Sequence, residues 1–302
     1  MPASGTIAVI VNVKAGTAAQ RGGIEAELTD LFRAAGREVE IVALQHGQTP
    51  TDAARQVSAR AAIVVAAGGD GTVSSVAAAI VDSTAALGVL PLGTLNHFAK
   101  DLHIPLDLGE AVVVVAAGHV ARLDVGQVND RVFVNNSSIG IYPSVVEARE
   151  ELRRRGHRKW PALALATLRV LRRYRGVTLS VDIEGKRQTW QTPFVFVGNN
   201  EYDIDGLVVG GRLRLDEGRL VVYRAPRVRP RQLPLLVAKA MLGRRQPGDF
   251  EVLPCRELWI GAAGAGRLQV AVDGEVLSME TPLHYRTRPK ALQVVVPQPQ
   301  RR

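Results

Sequence analysis

The run Ala61-Ala62-Ile63-Val64-Val65-Ala66-Ala67 is apolar throughout and passes straight into Gly68-Gly69-Asp70-Gly71-Thr72. No other feature narrows the fold as much. A strand with no polar face is buried on both sides, and such strands belong to parallel sheets covered by helices. The flanking sequence repeats the alternation. Thr6–Val13 is an apolar strand, and Gly23–Ala35 carries Ile24, Leu28, Leu31 and Phe32 at helical spacing. Glu38–Leu44 reads as a second strand, Thr51–Arg60 as a helix capped by Thr51, Thr72–Val81 as a helix and Leu87–Leu90 as a short strand. Residues 1–125 are therefore expected to form a doubly wound, mostly parallel α/β domain that binds ligands at its C-terminal strand ends.

Beyond about Val125 the pattern becomes alternating. Arg131–Asn135, Thr178–Ile183, Gln188–Val197, Arg219–Tyr223, Glu257–Gly261 and Arg267–Val272 read as strands, with turns such as Asp182-Ile-Glu-Gly185 and Asp273-Gly274. Residues 126–289 are expected to form an antiparallel β-sandwich with a helical insert at roughly Val145–Tyr174. The apolar run Leu292–Val296 can return to the first domain, which residues 290–298 would rejoin. Gly261-Ala-Ala-Gly264-Ala-Gly266 has its glycines in the wrong order for a dinucleotide fingerprint and reads as a flexible hairpin loop.

The Gly68–Thr72 turn sits where a buried strand meets a helix. Glycines there let backbone N–H groups approach phosphate oxygens, and the helix offers the same anion its positive end. Asp70 would repel phosphate, so it makes sense as a ligand of Mg²⁺, directly or through water, or as an orienting acceptor. The same residues also suit a plain tight turn with Asp70 as helix cap. The Walker-type phosphate loop is absent from the chain. Two further strand-end loops offer polar groups: Pro91–Ala99 with Thr94 and Asn96, and Val11–Gly16 with Asn12 and Lys14. Each alone suits an ordinary turn; three together point to a shared site.

Gly68–Thr72, Pro91–Ala99, the Asn12–Gly16 turn and Asp273-Gly274-Glu275 resemble the diacylglycerol-kinase catalytic family, which includes bacterial lipid kinases and is related to sphingosine kinases. The resemblance spans nearly the whole chain. It implies an α/β nucleotide domain followed by a β-sandwich, with ATP and Mg²⁺ as cofactors and a lipid alcohol as acceptor. It also implies nucleotide contacts from Asn12, Gly68, Gly69, Asp70, Gly71, Thr72 and Thr94; Lys14, by its charge, and Asn96, by its hydrogen-bonding side chain, are added as candidates from their own loops. Asp273 resembles the general base, with Asp70 catalytic and Glu275 supporting, and Asp124 resembles an acidic residue of a charge network. An NAD kinase-like enzyme shares the glycine turn, but Pro91–Ala99 argues against it. A catalytically silent nucleotide-binding, membrane-associated protein is the other alternative.

The chain departs from the family pattern in places. His97 stands where aspartate is usual. Gly211–Gly218 resembles a loop that binds a structural Mg²⁺, yet its first carboxylate position is Arg212; Asp216 remains as a metal ligand, and the guanidinium can take the ion's place. Asn199–Asp205 is less glycine-rich than expected, and a family threonine before the second helix has no clear counterpart in Gln45–Thr49.

Charge separates the two halves. Residues 1–125 hold 8 Lys/Arg and 12 Asp/Glu, a net of −4, while the remainder holds 30 and 17, a net of +13. The acidic half argues against a nucleic-acid partner. The basic half, with Arg149, Arg153, Arg154, Arg155, Arg158, Lys159 and Trp160 ahead of a leucine-rich stretch, suits an anionic membrane surface, although a solvated face explains it as well. Arg227–Arg231 and Leu235–Arg245 repeat the theme. The single cysteine, Cys255, reads as a buried side chain of a cytoplasmic protein. The expected location is cytoplasmic, peripheral to the inner face of the membrane.

Overall fold

Three apolar runs become three buried strands side by side. A computed structural model describes residues 5–12, 23–44, 47–141, 143, 176–205, 208–212, 214–225, 250–262, 264 and 266–298. The chain divides into two compact units, Met1–Val125 with Pro289–Arg302, and Gly126–Arg288. The first unit runs β1 (Ile7–Val11), α1 (Ile24–Ala34), β2 (Val39–Ala43), α2 (Pro50–Ser58), β3 (Ile63–Gly68), α3 (Asp70–Ile80), β4 (Ala86–Pro91), α4 (His97–Asp101), α5 (Leu108–Ala117) and the start of β5 (Val120–Val128). Its strands lie parallel in the order β2-β1-β3-β4. Every residue of β1, β3 and β4 is buried, whereas β2 at the edge is half-exposed. Val11 pairs with Ala67 and Gly68 with Pro91, so the residues that follow these three strands leave the sheet at one edge. That common exit positions the candidate site.

The helices differ from the sequence reading in instructive ways. Thr49, not Thr51, caps α2: its hydroxyl accepts from the Asp52 N–H, Asp52 reaches back to Thr49, and Pro50 starts the helix. This reciprocal box outcompetes a cap at Thr51. Helix α3 begins at Asp70, two residues before the expected Thr72, because Gly69 already accepts the first helical bonds from Thr72 and Val73. Helix α5 has no counterpart in the sequence reading, since its Ala-Val-Val-Val-Val run resembles a strand. Asp107 caps it by accepting from Glu110, and Gly118 ends it in the left-handed conformation.

The second unit contains β6 (Arg131–Phe133), β7 (Asn136–Gly140), β8 (Val177–Ile183), β9 (Lys186–Thr192), β10 (Phe194–Asn199), β11 (Tyr202–Asp205), β12 (Val208–Arg212), β13 (Leu220–Arg224), β14 (Glu251–Cys255), β15 (Glu257–Ala262), β16 (Arg267–Val272), β17 (Glu275–Glu280) and the first part of β18 (Leu283–Val295). One antiparallel sheet has the order β14-β13-β10-β7-β16-β17, and the other runs β18-β15-β8-β9. Their inner faces share a core in which Leu179, Trp190, Leu258 and Tyr285 meet Ile139, Val197, Val222 and Val270. This is the antiparallel β-sandwich. Tyr285 and Ser137 hydroxyls bond at 3.0 Å across it, and burial pushes the Tyr285 hydroxyl pKa up. Cys255 lies in the same core, where burial first and the Glu184 charge second push its thiol up to about 12. Gly126 is required by packing, since a Cβ there would lie 2.2 Å from the Phe133 ring.

Two strand expectations are corrected. Gln188–Val197 is not one strand: Pro193, which has no N–H for a ladder, separates β9 from β10, and the two enter different sheets. The Gly261–Gly266 stretch is not a hairpin either, because β15 and β16 belong to different sheets. At its far end β18 pairs in parallel with β4, Val294 against Leu87, within the first unit. The helical insert at Val145–Tyr174, the basic residues Arg149–Trp160 and the stretches Arg227–Arg231 and Leu235–Arg245 lie outside the described residues.

Candidate functional site

At the C-terminal edge of the parallel sheet three loops touch. The Asn12 amide donates to the Thr72 hydroxyl at 3.1 Å, which ties the end of β1 to the first turn of α3. The Leu92 N–H donates to the Gly68 carbonyl at 3.0 Å, tying the loop after β4 to the end of β3. Between these ties the backbones themselves meet. A Cβ on Gly93 would stand 2.5 Å from the Gly69 Cα, so the loop after β4 could not come this close with a side chain at that position, and a Cβ on Gly69 would be tight at 3.3 Å from the Gly93 Cα. A Cβ on Gly71, by contrast, would meet nothing within 4 Å. Gly69 caps α3 with no side-chain hydrogen bond; of the first-turn donors the Thr72 N–H turns back to the Gly69 carbonyl at 2.9 Å, and no side-chain cap takes the others. A bare helix start beside open space and packed glycines suits an anionic group such as a phosphate chain.

Asp70 is the first residue of α3, and its Oδ1 accepts the Phe98 N–H at 3.3 Å. That bond fixes the carboxylate between α3 and α4. The carboxylate chemistry fits a divalent cation on a phosphate chain, in keeping with the donor set of oxygen-loving ions. Asn96 does something else. It sits at φ 51°, is buried, accepts the Gly93 N–H at 3.0 Å and donates to the Gly93 carbonyl at 2.9 Å. Its side chain braces its own loop and thereby holds Gly93 against Gly69. Thr94, at the tip, is exposed. Lys14 lies outside the described residues. Asp124 is buried and accepts the Lys290 N–H at 2.8 Å.

The second unit carries the other candidates. Asp273 and Gly274 form the two-residue turn between β16 and β17, with φ of 46° and 87°. The Asp273 carboxylate accepts three consecutive backbone N–H groups, Val134 at 2.9 Å, Asn135 at 2.9 Å and Asn136 at 3.0 Å. The residue is therefore both a turn former and an oriented anion. Glu275 is exposed beside it. Asp216 is also exposed and pairs with Arg214 at 3.5 Å; among the described residues no three His, Cys, Asp or Glu side chains gather as a metal site. Arg212 is buried, and its guanidinium donates to the Val134 carbonyl at 2.6 Å, the Asn199 carbonyl at 3.1 Å and the Asn135 side-chain oxygen at 3.0 Å. Sequence reasoning did not foresee that Asn135 and Asn199 would join Arg212 and Asp273. The available signal was the pair of asparagine doublets, Asn135-Asn136 and Asn199-Asn200, each next to a strand.

A family model described as the diacylglycerol kinase catalytic domain matches residues 6–128, and one described as the YegS C-terminal NAD kinase beta sandwich-like domain matches residues 137–296. Among curated proteins, a diacylglycerol kinase of Staphylococcus saprophyticus is 38% identical over 96 residues, 31% of this chain and 32% of the relative. One of Staphylococcus epidermidis is 36% identical over 109 residues, 35% of this chain and 34% of the relative. These alignments span only about a third of each relative's length. Two solved Bacillus anthracis str. Sterne chains share the fold over 97% of both partners, a diacylglycerol kinase with a TM-score of 0.69 at 18% identity and another chain with 0.76 at 21%. Residues 6–128 thus belong to the diacylglycerol kinase catalytic-domain family, and residues 137–296, more than half of the chain, to the family of the YegS C-terminal β-sandwich.

Proposed function

We propose that this chain is an ATP-dependent lipid kinase that transfers the terminal phosphoryl of Mg-ATP to a hydroxyl of diacylglycerol or a related lipid alcohol. The observation that carries the reading is the junction at which Gly69 and Gly93 meet backbone to backbone beside the bare start of α3. In this reading Gly68–Thr72 and Thr94 hold the phosphates, Asn12 supports Thr72, and Asn96 keeps the second loop in place. Lys14 adds a positive charge. Mg²⁺, when bound, neutralises charge on the phosphate chain, and Asp70 is the residue that would hold it. Asp273 takes the proton of the acceptor hydroxyl as that oxygen attacks, and its three amide bonds fix its direction before substrate arrives. Glu275 supports it. The names of the staphylococcal relatives and the matched catalytic-domain family favour a lipid acceptor over NAD.

The basic second half would dock on an anionic leaflet from the cytoplasmic side, as a peripheral protein. Among the described residues no helix is long and apolar enough to cross a membrane. Binding to anionic vesicles that weakens with added salt would fit this docking.

The decisive experiment follows radiolabel from the terminal phosphate of ATP into a panel of lipid alcohols, with wild type and Asp70→Asn side by side. Label should enter a lipid hydroxyl with wild type. Asp70→Asn should transfer about 10²-fold more slowly with its fold intact, the size expected when one charge-stabilising group is lost. Label in NAD instead of lipid, or full turnover by Asp70→Asn, would refute the assignment.

A further inference from the structure

The segment Val134–Asn136 is held at its donors by an anion and at its acceptors by a cation. The Asp273 carboxylate takes its three N–H groups at 2.9, 2.9 and 3.0 Å. The Arg212 guanidinium gives to the Val134 carbonyl at 2.6 Å and to the Asn135 side-chain oxygen at 3.0 Å. Arg212 also gives to the Asn199 carbonyl at 3.1 Å and lies 5.3 Å from the centre of the Tyr202 ring. Only 3% of Arg212 is exposed. A charge so buried is costly unless its donors are met, and here oxygen acceptors from three residues meet them. Asp273 returns a bond to the same segment, its own N–H reaching the Asn136 carbonyl at 2.9 Å.

The Asp273 side chain is thus aimed by a short peptide whose position depends on Arg212. We propose that Arg212 is a positioning residue. It fixes Val134–Asn136 and, through those amides, sets where the Asp273 carboxylate stands. A lysine would keep the charge but not the planar fork that serves three acceptors at once. The inference rests on the reading of Asp273 as proton acceptor.

The test uses the full chain as wild type, Arg212→Lys, Arg212→Ala, Asp273→Asn and the double variant Arg212→Ala/Asp273→Asn. Turnover is measured with ATP and diacylglycerol in mixed micelles. Arg212→Lys should lower kcat by about ten-fold or more while KM for ATP stays within about two-fold, since no nucleotide contact is lost. Arg212→Ala should lose more and regain turnover with added ethylguanidinium but not ethylammonium. Arg212→Ala leaves buried oxygens unmet and can unfold the unit, so Arg212→Lys carries the kinetic comparison. A wild-type kcat in Arg212→Lys overturns the positioning role. Should the wild type transfer nothing, or Asp273→Asn turn over like it, the reading of Asp273 as base fails instead. The link is then decided by unfolding free energies of the single and double variants: non-additive losses uphold it, and additive losses overturn it.

Discussion

Gly93 and Gly71 belong to the same site and fail in opposite ways when given a methyl group. At Gly93 the new Cβ would lie 2.5 Å from the Gly69 Cα and 2.7 Å from the Asn96 side-chain oxygen, and backbone cannot swing aside as a side-chain tip can. At Gly71 the Cβ would enter open space on a helix, where alanine is favoured over glycine by about 0.5–1 kcal/mol. Gly71→Ala is therefore expected to melt at or above the wild-type temperature and yet bind ATP more weakly, because under the proposed function the methyl would take up space assigned to phosphate. Gly93→Ala is expected to lose both stability and ATP binding. Thermal unfolding and titration calorimetry check both, and normal ATP affinity in Gly71→Ala would remove the phosphate from that position. The glycines were legible in the sequence as turn formers. Their contact was not, because sequence order holds no information on which turns touch. Asn96 shows the same limit: its type suggested a ligand contact, whereas its geometry spends the side chain on Gly93.

Elements were legible where one physical cause dominated. The strand Ile63–Gly68 was readable because it is buried on both faces and has no alternative as an amphipathic helix. Helix α5 was not, since its valines have strand propensity and only the Asp107 cap and the burial of Leu108, Ala111, Val112 and Val115 decide for a helix. Helix α2 permits a quantitative expectation. Thr49→Ala removes the cap and should cost about 1 kcal/mol. The Thr49 hydroxyl and then the Thr49 backbone N–H hold the Asp52 pKa below its ordinary value of 3.8. A carboxylate depressed in the folded state contributes stability above its unfolded pKa and loses it as pH falls through the folded one. The penalty of Thr49→Ala should therefore be full at neutral pH and shrink below about pH 4. Denaturant titrations at several pH values test this, and a penalty that grows in acid would contradict the capping-box account.

At the scale of the molecule, the last described strand matters beyond its length. Residues Pro289–Arg302 belong to the same unit as Met1–Val125, although the other unit separates them in sequence. Leu292, Val294 and Val295 are each at most 1% exposed. At about 1.5–3 kcal/mol per buried side chain, their loss amounts to roughly 5–9 kcal/mol, an upper estimate since unfolded chains bury some surface already. That is comparable with the entire stability of an ordinary domain, about 5–15 kcal/mol. Removal would also take the Lys290 N–H from the buried Asp124 carboxylate and expose the edge of β4, the strand that leads into Pro91–Asn96. A chain ending at Arg288 should therefore lose amide-exchange protection along β3 and β4 and lose ATP binding with it, while β16 and β17 keep their protection. A synthetic peptide of residues 289–298 added in trans should restore part of the β4 protection, because it supplies the missing strand without a covalent link. If the shortened chain keeps both ATP binding and β4 protection, the returning strand is an accessory and ATP binding does not depend on it.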